Sequence, residues 1–211
     1  ESGSVYLHSG QAEKGMSGDL VLGSGGSAME AGRVSVVAGS SESMSGGEIS
    51  LRSGDSTNDD PSASGGKASI AGGSGVVGGE MTLEGGRGVS TGGSVDIRSG
   101  ESGYGMGASV SISSSSSDSS DGGMVKVVSG SGAQDGGIVY ISGGEGSATG
   151  GGINLHGGGS SDGSSGRISI ASADGIGSGD IVMQTGTGRE EVSGQFSLET
   201  GDSSAQAGSM I

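Results

Sequence analysis

The stretch GGSVDIRSGESGYGMGASVSISS, from Gly92 to Ser114, contains two apolar pairs, Val95/Ile97 and Val110/Ile112, that are 15 residues apart. One residue separates the two members of each pair, so both side chains lie on the same face of an extended segment. Their β-branched side chains favour a pleated, half-buried surface. The stretch therefore predicts a short β-strand that recurs along the chain.

The template Gly-x-apolar-x-apolar recurs from one end of the sequence to the other. Successive repeats are 13–15 residues apart, except for one step of 19 residues between Gly47 and Gly66. The first apolar column consists of Val5, Leu20, Val34, Ile49, Ala68, Met81, Val95, Val110, Val125, Val139, Ile153, Ile168, Ile181, Phe196 and Met210. The second column consists of Leu7, Leu22, Val36, Leu51, Ile70, Leu83, Ile97, Ile112, Val127, Ile141, Leu155, Ile170, Met183, Leu198 and, at the end of the chain, Ile211. Because only 29% of the residues are hydrophobic, these columns are not a product of chance.

Composition alone would indicate a disordered chain, and it excludes several classes of function. The chain has 53 glycines, 2% aromatic residues and a net charge of -15, all typical of low-complexity linkers. The absence of cysteine excludes disulfides and thiolate metal sites. The acidic balance argues against nucleic acid as a partner, because phosphate binding needs clustered basic residues. No apolar run approaches the roughly 20 residues needed to insert into a membrane.

The regular spacing predicts an all-β fold, a parallel β-solenoid of about 15 coils of 14–15 residues. Most spacers are 7–10 residues long and carry an apolar residue, which predicts a second arc facing the first and hence a flattened, two-faced cross-section. These spacer residues are Met44, Val76, Val89, Met106, Ala133, Ala148, Ile176, Val192 and Ala205. A meander of hairpins is the competing geometry, but it usually shows Asn-Gly or Asp-Gly turns. We expect glycines to supply positive φ angles at the turns, and residues 1–211 to form a single repeat domain, a segment of a longer array.

Two repeats depart from the pattern. The spacer SGDSTNDDPSASGG, residues 53–66, contains the only proline, Pro61, and is expected to bulge outwards. The stretch SISSSSSDSSDGG, residues 111–123, has Ser115 in place of a turn glycine and no apolar residue in its spacer. We expect this repeat to be the weakest.

No constellation of residues predicts a catalytic, cofactor or metal site. His8 and His156 occupy the same column but are ten repeats apart, too far to form a dyad. Calcium-binding repeats would place Asp in every coil, and the nearest match to that pattern is GSGDIVM, with Asp180. Adventitious calcium is expected at most at Asp55, Asp59 and Asp60. We therefore expect a protein that is not an enzyme.

The outward positions predict a solvated face. Ice-binding solenoids carry a regular Thr array there, and this chain offers the single Thr82. Charged residues follow the leading glycine in many repeats, and neighbouring repeats pair opposite signs, as in Arg33/Glu48 and Lys67/Glu80. Pairing across neighbouring strands would contribute about 0.2–1 kcal/mol for each pair.

The rhythm GG-x-V-x-I-x-SG, complete at Gly92–Gly100, resembles that of Gly/Ser-rich tandem-repeat proteins of microalgae, which are often secreted or surface-associated. The resemblance implies an extracellular or cell-surface structural role. We expect a filament, wall or matrix protein that stacks end to end into a homo-oligomer or polymer, with a polysaccharide matrix as a further partner. The alternative is an adhesion module that recognises a glycan or another surface, although only Tyr6, Tyr104 and Tyr140 are available for stacking on sugars.

Overall fold

The computed structural model describes residues 2–190, 192–204 and 206–209, and none of these residues forms a helix or a β-strand. The predicted parallel β-solenoid of about 15 coils, and the all-β class with it, is therefore wrong. The reason lies in the backbone hydrogen bonds. A solenoid would join residues 14–15 apart, but the bonds among the described residues span 12 residues at most, as between Gly66 and Gly54. They close loops within the chain instead of linking neighbouring coils.

The repeat that forms is a short apolar segment followed by a closed loop. In eight repeats the leading glycine donates its N–H, at 2.8–2.9 Å, to the carbonyl oxygen of the residue three positions after the second apolar column. The donor–acceptor pairs are Gly47–Gly39, Gly66–Gly54, Gly79–Gly73, Gly93–Gly86, Gly123–Ser115, Gly137–Gly130, Gly151–Gly144 and Gly166–Gly158. Such loops, whose ends meet, are compact surface features that need no partner strand. The spacing of 13–15 residues in the sequence therefore corresponds to one closed loop per repeat.

Glycine is needed at the loop bases for close approach, and rarely for its backbone freedom. Among the described residues only Gly15 has a positive φ, 95°, so the expectation of left-handed turn glycines is wrong elsewhere. A Cβ atom on Gly93 would lie 2.9 Å from the backbone nitrogen of Gly86, too close for a carbon atom. A Cβ atom on Gly85 would overlap the carbonyl oxygen of Gly93. The two segments at the base of the loop therefore meet backbone to backbone.

The described residues do not enclose a core. The accessible surface is 21463 Å², whereas a compact protein of this mass exposes roughly 8,600 Å² and an extended chain roughly 28,700 Å². No described residue is buried. The least exposed are six residues at loop bases, two positions after the second apolar column: Ser9, Ala38, Ser53, Gly85, Ser129 and Gly143. The predicted two-faced interior is therefore wrong as well.

Contacts divide the chain into two units, Glu1–Ser109 and Val110–Ile211. Each unit consists of the same alternation of apolar segment and loop. The prediction of one domain over residues 1–211 stays a prediction.

Candidate functional site

In the central repeats the first apolar column is about half covered, and the second column is more exposed. From Leu20 to Ile181, the large side chains of the first column keep 47–55% of their surface exposed, and those of the second column keep 59–84%. The similar values in successive repeats mean that each segment holds its first-column side chain in the same environment. We call these residues the apolar pairs. Met210 and Ile211, which the pattern also assigns to the columns, lie outside the described residues.

The apolar residues of the spacers do not face the apolar pairs. Met44, Val76, Val89, Met106, Ile176 and Val192 are 93–114% exposed, so they touch almost nothing. Ala133 and Ala148 are exposed too, and Ala205 lies outside the described residues. The predicted second arc is wrong, because these residues stand at loop tips. Their positions in the sequence could not show whether they pack against the apolar pairs or lie at exposed loop tips.

In three segments, the side opposite the apolar pair carries polar and charged groups that are hydrogen-bonded to each other. Thr82 donates to Glu80 at 3.2 Å, Ser197 donates to Glu199 at 2.8 Å, and Arg98 donates to Asp96. Each contact joins residues two positions apart, which requires an extended backbone with side chains alternating between two sides. The local alternation predicted from sequence is therefore present in these segments, although no strands pair.

The ion pairs differ from those predicted. Among the described residues, salt bridges join Arg98 to Asp96 and Arg52 to Asp55, the latter at 2.6 Å. Each of these pairs joins residues of a single repeat. The pairs expected between neighbouring repeats, Arg33/Glu48 and Lys67/Glu80, do not form salt bridges in the described part of the chain. The pKa of Asp96 is lowered by its hydrogen bond with Arg98, and that of Arg98 is raised. Because both groups are exposed, we assign them no stabilising role in the fold.

Residues 58–63 form the most densely hydrogen-bonded turn of the long spacer. The backbone N–H of Asp60 donates to Asn58 Oδ1 at 3.0 Å. Asp60 Oδ1 accepts two hydrogen bonds from Ser62, from its N–H at 2.8 Å and its hydroxyl at 2.5 Å. The N–H of Ala63 donates to the carbonyl oxygen of Asp60 at 2.9 Å, closing a turn with Pro61 at its second position. Sequence analysis predicted a bulge here but not this organisation.

The carboxylates and histidines do not converge in the described part of the chain. No group of three or more His, Cys, Asp or Glu residues there is arranged to hold a metal ion. Asp55, Asp59 and Asp60 are among the residues searched, and they form no such group. The imidazole Nδ1 of His8 lies 3.1 Å from the carbonyl oxygen of the adjacent Ser9. Neither His8 nor His156 belongs to a metal-binding group of this size in the described residues.

Two further surface features bear on binding: the exposed tyrosines and an open groove. Tyr6, Tyr104 and Tyr140 are each more than four-fifths exposed, but they belong to separate repeats. An open groove of about 360 Å³ lies between residues 51–53 and 67–70, lined by the apolar residues Leu51, Ala68 and Ile70 and by Arg52 and Lys67. No carboxylate or imidazole lines it, and its two charged groups are Arg52 and Lys67.

Within the described residues, no helix is long and apolar enough to cross a membrane. The chain matches no protein-family model, no curated protein and no solved structure. The resemblance to microalgal Gly/Ser-rich repeat proteins therefore stays an expectation drawn from the rhythm of the sequence.

Proposed function

We propose that this chain is a structural repeat protein, without catalytic activity, that associates with copies of itself to form or coat an extracellular filament, wall or matrix. The observation that carries the proposal is the exposure of the apolar pairs. They recur in every repeat, yet the described chain leaves about half or more of each large side chain in contact with water.

The exposed apolar surface provides the driving force for association. Burying the exposed half of one Val, Ile or Leu side chain is worth roughly 1 kcal/mol. The pairs of several repeats together would offset the cost of association, estimated at about 4–15 kcal/mol. Monomeric soluble proteins rarely leave so much apolar surface uncovered, and large uncovered surfaces generally mark sites of interaction.

A second copy of this chain is the partner that fits best. The pairs are separated by spacers of nearly constant length, with steps of 13–15 residues apart from the one step of 19. A partner that covers several pairs at once must present apolar groups at the same spacing, and another copy does so without further adjustment. Covering many weak positions at once also gives an avidity that no single pair provides.

The distribution of charge is compatible with contact between copies. In the segments with hydrogen bonds between alternate residues, Glu80, Asp96, Arg98 and Glu199 lie opposite the apolar pairs. Contact between apolar pairs therefore leaves these charges in water. The net charge of -15 still opposes association over longer distances, and added salt weakens that repulsion.

An extracellular location follows from the resemblance and suits the chemistry. The chain stabilises its loops with backbone contacts and uses no cysteine, so it has no dependence on the redox state of its compartment. Extracellular fluids and walls supply the divalent cations and salt that reduce repulsion between acidic chains.

The test is sedimentation velocity and light scattering over a range of protein concentrations. The variant Val139→Asp/Ile153→Asp places charges in the first apolar column, and Tyr140→Asp/Asn154→Asp adds the same charge on the opposite side of the same segments. We expect the native chain and the second variant to associate, and the first variant to remain monomeric at the same concentrations. A native chain that stays monomeric, or equal weakening by both variants, would contradict the proposal.

A further inference from the structure

The Asp60–Pro61 peptide bond combines an unusual sequence with an ordered local geometry. Pro61 is the only proline of the chain, and it lies in the longest spacer between repeats. The turn around it is fully exposed to solvent, so water and protons reach the bond. None of these residues belongs to the apolar pairs, and the inference does not depend on the proposed function.

Hydrogen bonds tie the Asp60 side chain to Ser62, which lies on the far side of the bond between Asp60 and Pro61. Ser62 binds Asp60 Oδ1 through both its N–H, at 2.8 Å, and its hydroxyl, at 2.5 Å. Ser62 is on the carboxyl-terminal side of Asp60, so these contacts draw the carboxylate towards the Asp60–Pro61 peptide. The carboxyl carbon of Asp60 is only three bonds from its own main-chain carbonyl carbon, so a side chain restrained by Ser62 needs little further ordering for attack.

The carbonyl group is also prepared for attack. Its oxygen accepts a hydrogen bond from the N–H of Ala63 at 2.9 Å. A donor at this position stabilises the negative charge that develops on the oxygen when a nucleophile adds to the carbon. The leaving nitrogen belongs to Pro61, a tertiary amide with no N–H of its own.

We propose that residues 58–63 form a self-cleaving turn, in which the Asp60 carboxylate breaks the Asp60–Pro61 bond in acidic solution. A carboxylate oxygen adds to the main-chain carbonyl carbon of Asp60 and closes a five-membered ring. The bond from that carbon to the nitrogen of Pro61 then breaks, and the nitrogen takes a proton from the solvent. One water molecule hydrolyses the resulting cyclic anhydride, which leaves two free carboxyl groups on Asp60 and a new amino terminus at Pro61.

The ionisation of Asp60 sets the pH dependence. Two hydrogen bonds from Ser62 hold the pKa of the Asp60 carboxyl below its usual value. The bond from the Ser62 side chain has the larger effect, and the bond from its backbone N–H the smaller. The reaction needs an ionised carboxylate together with a proton for the leaving nitrogen. Its rate therefore increases as the pH falls and becomes constant below the pKa of Asp60. A lower pKa extends the increase to lower pH and gives a faster limiting rate.

The products divide the chain between the fourth and fifth repeats, into residues 1–60 and 61–211. A local acidification would thus shorten the array at one defined place. Because a shorter chain presents fewer apolar pairs, we expect cleavage to weaken association of the fragments where that association occurs. Cleavage itself is measured on the monomer and is independent of association.

The experiment follows the intact mass of the full chain during incubation between about pH 2 and pH 7, the range that brackets ordinary carboxyl titration. We expect two fragments whose masses add up to the intact mass plus one water, with Pro61 as the new amino terminus. The rate should be independent of protein concentration, since the reaction is intramolecular. A cut at another bond, or an uncut chain throughout this range, would refute the proposal.

Four variants assign the roles. Asp60→Glu lengthens the side chain so that a larger ring must close, and Pro61→Ala restores a secondary amide; we expect each to slow cleavage by about tenfold or more. Asp59→Asn removes the neighbouring carboxylate and serves as the matched control, with an unchanged rate. Ser62→Ala removes the hydroxyl donor, so the rate should become constant at a higher pH than in the native chain. Native rates in both Asp60→Glu and Pro61→Ala would overturn the mechanism.

Discussion

The backbone N–H of Gly93 donates to the carbonyl oxygen of Gly86 at 2.8 Å and closes the loop between two apolar segments. The two backbones lie one hydrogen bond apart. This approach is possible because neither residue carries a side chain. It takes the place that a bond to the neighbouring coil would hold in a solenoid. Loop closure is thus the local interaction that gives the chain its period.

A methyl group on Gly93 should open this loop. In Gly93→Ala the new Cβ would meet the Gly86 nitrogen at 2.9 Å, so the base of the loop must separate and lose its hydrogen bond, worth about 0.5–1.5 kcal/mol. We expect faster amide hydrogen exchange at residue 93, measured by nuclear magnetic resonance. Gly92→Ala is the control, because its Cβ would lie 3.8 Å from the Gly86 carbonyl oxygen, an ordinary contact. Equal exchange in both variants would show that close approach does not matter here.

The serine-rich repeat has more closing contacts than its sequence suggested. Gly123 donates to the Ser115 carbonyl oxygen at 2.9 Å, and the Ser114 hydroxyl donates to the Gly123 carbonyl oxygen at 2.7 Å. The second bond comes from a serine at a position that is glycine in some other loops, as at Gly85. The expectation that residues 111–123 form the weakest repeat therefore lacks support in the contacts of this loop.

Removing the Ser114 hydroxyl should loosen that loop without opening it. In Ser114→Ala the backbone bond between Gly123 and Ser115 remains, and only the side-chain bond is lost. We expect an increase of a few fold in amide exchange at Gly123, which matches a loss below about 1 kcal/mol for an exposed hydrogen bond. Ser113→Ala, one residue earlier, is the control and should leave the exchange rate unchanged. No change in Ser114→Ala would mean that the hydroxyl does not hold the loop in solution.

Sequence reasoning identified the unit of this chain but not how the units relate. The period, the paired columns and the alternation of sides around Asp96 and Arg98 follow from residue spacing, which acts over a few residues. The solenoid required contacts between repeats, and spacing cannot show which acceptor an N–H will choose. Gly93 finds Gly86 seven residues away, where the entropy of closing the loop is lower than for a more distant acceptor. The turn at Asp60 was missed because the hydrogen bonds of Ser62 depend on conformation, although the Asp-Pro pair itself was visible.

The Asp96–Arg98 contact should be visible in a titration. The hydrogen bond with Arg98 lowers the pKa of Asp96, so the contact is fully formed above the ordinary pKa of an aspartate and is lost as the pH falls through the lowered value. In Arg98→Gln we expect the pKa of Asp96 to rise towards its ordinary value, as followed by the carboxyl carbon resonance. Arg167→Gln removes the same charge from another repeat and should leave that pKa in place. A similar shift in both variants would indicate a general field effect instead of a specific contact.

Salt should promote association of the chain, and the identity of the divalent cation should matter little. The net charge of -15 repels like chains, and about 0.1 M salt limits that repulsion to about 10 Å. The 24 acidic residues are spread along the whole chain, so we expect divalent cations to act through their charge, with little preference for Ca²⁺ over Mg²⁺. We therefore expect light scattering to increase with NaCl, and CaCl₂ and MgCl₂ to act alike at equal ionic strength. Association that requires Ca²⁺ and fails with Mg²⁺ would point to a specific cation site, whereas association insensitive to all three salts would show that charge repulsion does not control it.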